Sequence, residues 1–452
     1  MAHAAFLLTH SRAAAAATAV PAPRKRHPRG DPPGGRRPRA RGHIAAAAGS
    51  EPALPSEPAT SRVDACDPFE PSPPCVALPG ASNQLQALAT TSRLVANTAD
   101  VALVKELAAP DGGRLVHDAC AHPALVLAEF CAAAMPELRL KHNDIAHQLG
   151  EGALHLKDVL EGDDEGELRT RLVQAVRSAS KAGASPAAIA AALTLDLAED
   201  LAAVLPADGR VLVPLDPMLS FDTHELIHAA MGLADALERR GVDAASKLCV
   251  RMPATWEGIQ ACEALEKEGV QCNMTLVCSL AQGIACADAG ASRVTPFVGR
   301  TLDWHRAEHA RDHYPAHEDP GVLRTKRLYT LYHQEGVPSM VTPTSFRNIH
   351  EVRELAGCDS LIIPPLIMEE LRACSDPLML KLSDSYARTL WPREEVAARP
   401  LSFGRFVRLH DADACAVELL EKSVHGFAVE ERHLEELVAE IMVETPTDSD
   451  EG

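Results

Sequence analysis

From about Ser92 onward, short β-like runs alternate with longer helical ones, and this alternation limits the fold more than any other feature of the sequence. The β-like runs are Arg114–Asp118, Arg210–Asp216, Lys247–Met252, Gln271–Val277, Ser292–Val298, Ser339–Thr342 and Ser360–Pro364. Between them lie helical stretches at His224–Arg240, Thr255–Glu268, Ser279–Ala289, Gly321–Gln334 and Arg347–Ala356. Antiparallel strands can be joined by tight turns, whereas strands separated by whole helices pair in parallel through crossovers. Seven or eight such repeats favour closure into a (β/α)8 barrel of the TIM type, an α/β fold. The helix from Thr255 is well punctuated, with a hydroxyl cap, Glu257 in the first turn and Gly269 at its end. A long helical tail, about Ala412–Met442, is expected to cover the barrel.

The ends of the chain differ from this body. Residues 1–50 hold nine basic side chains against Asp31 alone, with abundant Ala and Pro, the pattern of an organelle transit peptide. Import into the chloroplast stroma is the first expectation and the mitochondrial matrix the second. Residues 51–90 are expected to form a disordered linker, 91–442 the barrel and 443–452 an acidic disordered tail. Removing the leader takes the formal charge from -19 to about -27. So acidic a body disfavours nucleic acid and anionic membrane as partners, since phosphate surfaces call for clustered Lys and Arg. No apolar run reaches the ~18 residues of a membrane span. The 12 cysteines contain no Cys-x-x-Cys spacing, so neither a metal site nor a cofactor is expected, and several thiols fall inside apolar periodic segments.

Specific motifs stand on this frame. They include Ala254-Thr255-Trp256, the stretch Leu265-Glu266-Lys267-Glu268-Gly269-Val270-Gln271-Cys272-Asn273-Met274-Thr275-Leu276, and Pro296-Phe297-Val298-Gly299-Arg300 followed by Leu302-Asp303-Trp304. Ser345-Phe346-Arg347-Asn348-Ile349 and Glu354-Leu355-Ala356-Gly357-Cys358-Asp359 come later. In their order, over residues 91–442, these motifs resemble the long-chain, Schiff-base transaldolases. The resemblance implies a sugar phosphate as ligand, with Arg300, Ser345 and Arg347 on its phosphate. It also places Asn273 and Thr275 in the site; both alternate along one strand face, where they could equally be satisfied polar core residues.

The departures from the family pattern fall on the chemistry. The resemblance implies a lysine nucleophile at the position of Arg251, a glutamate at Pro214, an aspartate at Asn97 and an orienting amide at His122. A guanidinium keeps its proton up to a pKa above about 12 and cannot form a Schiff base. Proline has no proton to exchange, and an amide does not titrate. Asp216 could serve as a base and His122 could titrate near neutrality, although a lone histidine is also a common structural residue. Lys247, Cys249 and Arg251 alternate, which puts Lys247 in the barrel roughly 13 Å toward the closed end.

Two functions follow from these residues. One is a protein of organellar sugar-phosphate (pentose phosphate) metabolism that binds sugar phosphate but has lost aldol chemistry, acting as a homodimer or paired with an active relative. The other is an active transaldolase moving a dihydroxyacetone unit between sugar phosphates. Arg251, Arg300 and Arg347 without the family's two acids give a mouth of about +3, which would favour a doubly anionic sugar ligand. Alternatively, Arg251 pairs with Asp216 and the pocket is merely filled.

Overall fold

A computed structural model describes residues 76–78, 81–109, 113–134, 167–389 and 399–443, all within the unit Pro68–Gly452. The expected transit peptide and the tail from residue 444 lie outside the described residues. Eight parallel strands form the barrel: β1 (Arg93–Ala96), β2 (Asp118–Cys120), β3 (Val211–Pro214), β4 (Leu248–Pro253), β5 (Cys272–Val277), β6 (Arg293–Pro296), β7 (Met340–Val341) and β8 (Ser360–Ile363). Their order in the sheet is β7-β6-β5-β4-β3-β2-β1-β8, so the first strand pairs with the last. The seam between β7 and β8 carries no strand ladder. It is drawn together by Ile362 N–H donating to the Pro343 carbonyl (3.0 Å) and Val341 N–H donating to Asp359 Oδ2 (2.9 Å).

The local reasons for these elements are visible in the residues. Strands β4 and β5 are buried at every position, as a parallel sheet covered by helices requires. Prolines close β3, β4 and β6 at the barrel mouth (Pro214, Pro253, Pro296), where a residue without an N–H ends the ladder. Thr255 Oγ1 accepts from Gly258 N–H (2.9 Å) to cap the helix Trp256–Lys267, and a capping box between Ser279 and Gln282 starts Leu280–Asp288. The last helix runs unbroken from Ala414 to Val443.

Four expectations need correction. Strand β1 is absent from the sequence-based set; what defines it is its pairing with β2 and β8, which are distant in sequence. The second strand starts at Asp118 instead of Arg114, because Leu115 and Val116 bond back to the Leu107 carbonyl. Lys247 does not point into the barrel. It ends the short helix Ala244–Lys247 and donates from Nζ to the Pro206 carbonyl (2.6 Å). The linker expected over 51–90 ends early, because the helix Gln84–Ala89 buries Leu85 and Leu88 and ties Gln84 to Asp376 and Arg353. Among the described residues no helix is long and apolar enough to cross a membrane.

Inside the barrel, at the N-terminal ends of the strands, sits a charged knot. Asp118 on β2 accepts from Arg93 Nε (2.6 Å) and Nη2 (2.9 Å) on β1, from Arg293 Nη2 (2.7 Å) on β6, and from Arg210 N–H (2.8 Å) just before β3. Asp118 and Arg293 are both fully buried. Burial pushes the Asp118 carboxyl up, but the hydrogen bonds from Arg93 and the charges of Arg293 and Arg93 outweigh it and hold the group below the usual carboxylate range. A carboxylate held low stabilises the fold above its unfolded value, and that contribution is lost as pH falls through the folded value. Asp118→Ala strands Arg293 as a buried charge, which should cost about 3–5 kcal/mol in urea denaturation at neutral pH. A loss under about 1 kcal/mol would show that the knot does not hold the barrel.

Candidate functional site

The barrel mouth opens into a cavity of ≈ 1370 Å³ that receives residues from the ends of several strands and from the C-terminal helix. In α/β barrels this end, built from the loops after the strands, is where ligands bind. Arg251 lies at its base on β4, in register with Pro214 on β3 and Asn273 on β5. Its side chain is only 7% exposed. Nη1 donates to Cys120 Sγ (3.7 Å), Nη2 to Thr275 Oγ1 (3.3 Å), and Nε has no partner. No carboxylate lies within ion-pair distance of it among the described residues. A buried guanidinium held by a thiol and a hydroxyl is poorly compensated, which suits it to an anion or a strong acceptor arriving with a ligand. The alternative pairing with Asp216 does not form. Asp216 is exposed at the end of the β3 loop and accepts from Met218 N–H (2.7 Å), capping the turn Pro217–Leu219.

His122 follows β2, with Nε2 3.3 Å from Asn97 Oδ1. Burial, and then the neighbouring Arg251 charge, push its imidazole down to about 3. The expectation of titration near neutrality is therefore corrected: His122 is a neutral group that orients Asn97. Asn273 is fully buried; its Oδ1 accepts from Thr295 Oγ1 (2.6 Å) while Nδ2 has no partner. Thr275 faces the same interior and takes the Arg251 bond. Thr295 falls in none of the sequence motifs, although its alternation with Arg293 along β6 marks it as inward-facing.

The expected phosphate trio is brought together. Arg300 stands in the first turn of the helix Val298–His309, its guanidinium over the rings of Phe297 (5.1 Å) and Phe427 (5.0 Å). Ser345 adopts a left-handed backbone (φ 64°) and its carbonyl accepts from Gly299 N–H (3.0 Å). A Cβ at Gly299 would come within 2.2 Å of that carbonyl, so only glycine permits the approach. Arg347 Nη1 reaches Ser345 Oγ (3.2 Å), while Nε and Nη2 are held by Asp303 Oδ2 at 2.9 and 2.7 Å.

The +3 mouth does not survive this geometry. Arg347 is paired with Asp303, His122 is neutral, and the C-terminal helix contributes Glu430 and Glu431 to the same cavity. Burial raises the Glu430 carboxyl, against the lowering effect of Arg300 and Arg251. Burial, then Asp216 and Glu435, push Glu431 up to about 7. Both glutamates escaped the sequence reading, which treated their helix as a cover. Elsewhere, Cys262, Glu266 and Cys272 place their ligand atoms within 4.8 Å of one another, a grouping that spacing alone had not suggested. Both Glu266 oxygens are already engaged there by Cys272 N–H, Ser292 N–H and Ser292 Oγ.

A neutral His122 carries its own expectation. Its imidazole resonances should stay unshifted in an NMR titration from pH 8 to pH 5. Because the native value is depressed from 6.5, the histidine costs stability only as pH falls below that unfolded value. An inflection between pH 6 and pH 7 in the folded protein would overturn the assignment.

Residues 164–438 match the family model described as Transaldolase/Fructose-6-phosphate aldolase. A protein named Transaldolase from Pseudoalteromonas atlantica is 36% identical over 357 residues, covering 79% of this chain and 98% of that protein. Transaldolase B of Pasteurella multocida is 32% identical over 358 residues, covering 79% and 99%. The Thermosynechococcus vestitus Transaldolase is 42% identical over 230 residues, covering 51% and 58%.

Proposed function

This chain belongs to the transaldolase family, and from that premise we propose that it binds a sugar phosphate without performing Schiff-base aldol chemistry. Membership sets it in sugar-phosphate metabolism. The observation that carries the rest is the buried Arg251 guanidinium, in no ion pair and with Nε unpartnered, at the base of a cavity that also receives Arg300, Ser345 and Arg347. Such a group binds an oxygen-rich ligand well, yet it has no free amine pair to attack a carbonyl. Around it, Asn97 and Pro214 offer no titratable proton. Lys422 is the one lysine lining the cavity among the described residues; it is 68% exposed and pairs with Glu418 at 3.1 Å. A Schiff-base lysine is activated by desolvation or a neighbouring cation, and Lys422 has neither burial nor such a partner in its ion pair.

The second reading, an active transaldolase moving a dihydroxyacetone unit, rests on family membership and requires an amine that the lining does not supply convincingly. A doubly anionic ligand loses its motive once Glu430 and Glu431 share the cavity, so a sugar monophosphate is the ligand proposed. The basic leader supports import into the chloroplast stroma, with the mitochondrial matrix as the alternative. A silent sugar-phosphate binder in that compartment would act as a regulator, as a homodimer or paired with an active relative.

Borohydride trapping separates the two readings. Incubated with fructose 6-phosphate and reductant, the protein should show no mass increase while an active transaldolase does; a stoichiometric adduct would make it an enzyme. In calorimetry, Arg300→Ala should weaken fructose 6-phosphate binding at least about tenfold, the loss of one charge-assisted phosphate contact.

A further inference from the structure

Phe427 and Glu430 lie three residues apart on the C-terminal helix and so share one face. That face is turned to the mouth, since the Arg300 guanidinium stacks on Phe427 at 5.0 Å and Phe427, Glu430, Arg300 and Arg251 all line one cavity. The Glu430 carboxylate makes no ion pair or hydrogen bond with the described residues, although two arginines lie near enough to act on its charge. A half-buried carboxylate without a direct partner, facing a cavity, is an acceptor held ready for something else. Sugar hydroxyls are donors and satisfy it. A second phosphate meets a like charge there, reinforced by Asp216 and by the ionised fraction of Glu431 on the same lining.

We propose that Glu430 is the specificity-determining residue of this site, confining it to ligands with one phosphate and a hydroxylated remainder. The phosphate lies on Arg300, Ser345 and Arg347, and the hydroxyl chain extends toward Glu430 and Arg251. Discrimination of this kind works through repulsion of the wrong ligand more than through added attraction to the right one. The inference rests on the sugar-phosphate reading above and adds the number of anionic groups the site accepts.

The test is calorimetric titration of the full chain with fructose 6-phosphate and with fructose 1,6-bisphosphate. Wild type, Glu430→Gln, Glu430→Asp and a second neutral variant, Glu430→Ser, are compared after circular dichroism confirms folding. Wild type should favour the monophosphate by at least about tenfold, and Glu430→Asp should keep that preference. Either neutral variant should bring the ratio close to one or invert it, chiefly by tightening the bisphosphate. An unchanged ratio in the folded neutral variants, or a wild-type preference for the bisphosphate, overturns the proposal while leaving the sugar-phosphate site standing. Failure of wild type to bind either ligand overturns that site itself, and this proposal with it.

Discussion

The interior of this barrel is organised around a single carboxylate. Asp118 takes charged donors from β1 and β6 and a backbone donor from the start of β3, so one side chain on β2 references three other strands. Buried ion pairs are poor sources of net stability, because desolvation consumes most of the attraction. What they fix is arrangement. A one-residue slip of any of these strands would turn its inward residues outward. The inward placement of Arg251, Asn273 and Thr275 at the other end of the barrel depends on the same register.

The two ends of the barrel treat arginine differently. At the floor, Asp118 pairs with the buried Arg293 and with Arg93, which also reaches the exposed Asp208. At the mouth, Arg347 is paired with Asp303, Arg300 lies over two aromatic faces, and Arg251 is in no ion pair, although the Glu430 carboxylate lies near enough to feel its charge. Satisfaction is incomplete at both ends, since Arg293 leaves Nε and Nη1 and Arg251 leaves Nε without a partner. Of these two, Arg251 is the one that lines the mouth cavity, where a ligand can reach it.

Much of this was legible from residues alone. The βα alternation gave the barrel because whole helices between strands call for parallel pairing, and the motifs gave Arg300, Ser345 and Arg347 as a group. What escaped shares a physical cause. Strand β1 is a short run whose identity comes from pairing with β8, more than 260 residues away, which no local pattern records. Lys247 was counted into β4 because alternation continues through it, but its chain is already turning as a helix. The His122 charge state depends on its burial in the assembled barrel and then on Arg251, which arrives from another strand. Glu430 and Glu431 looked like solvated charges on an amphipathic helix; only its path across the mouth makes them part of the site. Local periodicity fixes elements, while charge balance in a cavity is a property of the assembled whole.

The pairing of the first strand with the last also orders events in time. During synthesis the chain emerges from its N-terminus, and β1 must wait until residues 360–363 have been made before its outer edge is covered. The Arg300 guanidinium waits longer still, because Phe427, its second aromatic face, belongs to the final helix. Contacts so distant in sequence form slowly. Until the final helix is made, the cavity mouth therefore lacks Phe427, Glu430 and Glu431, and its lining is completed last.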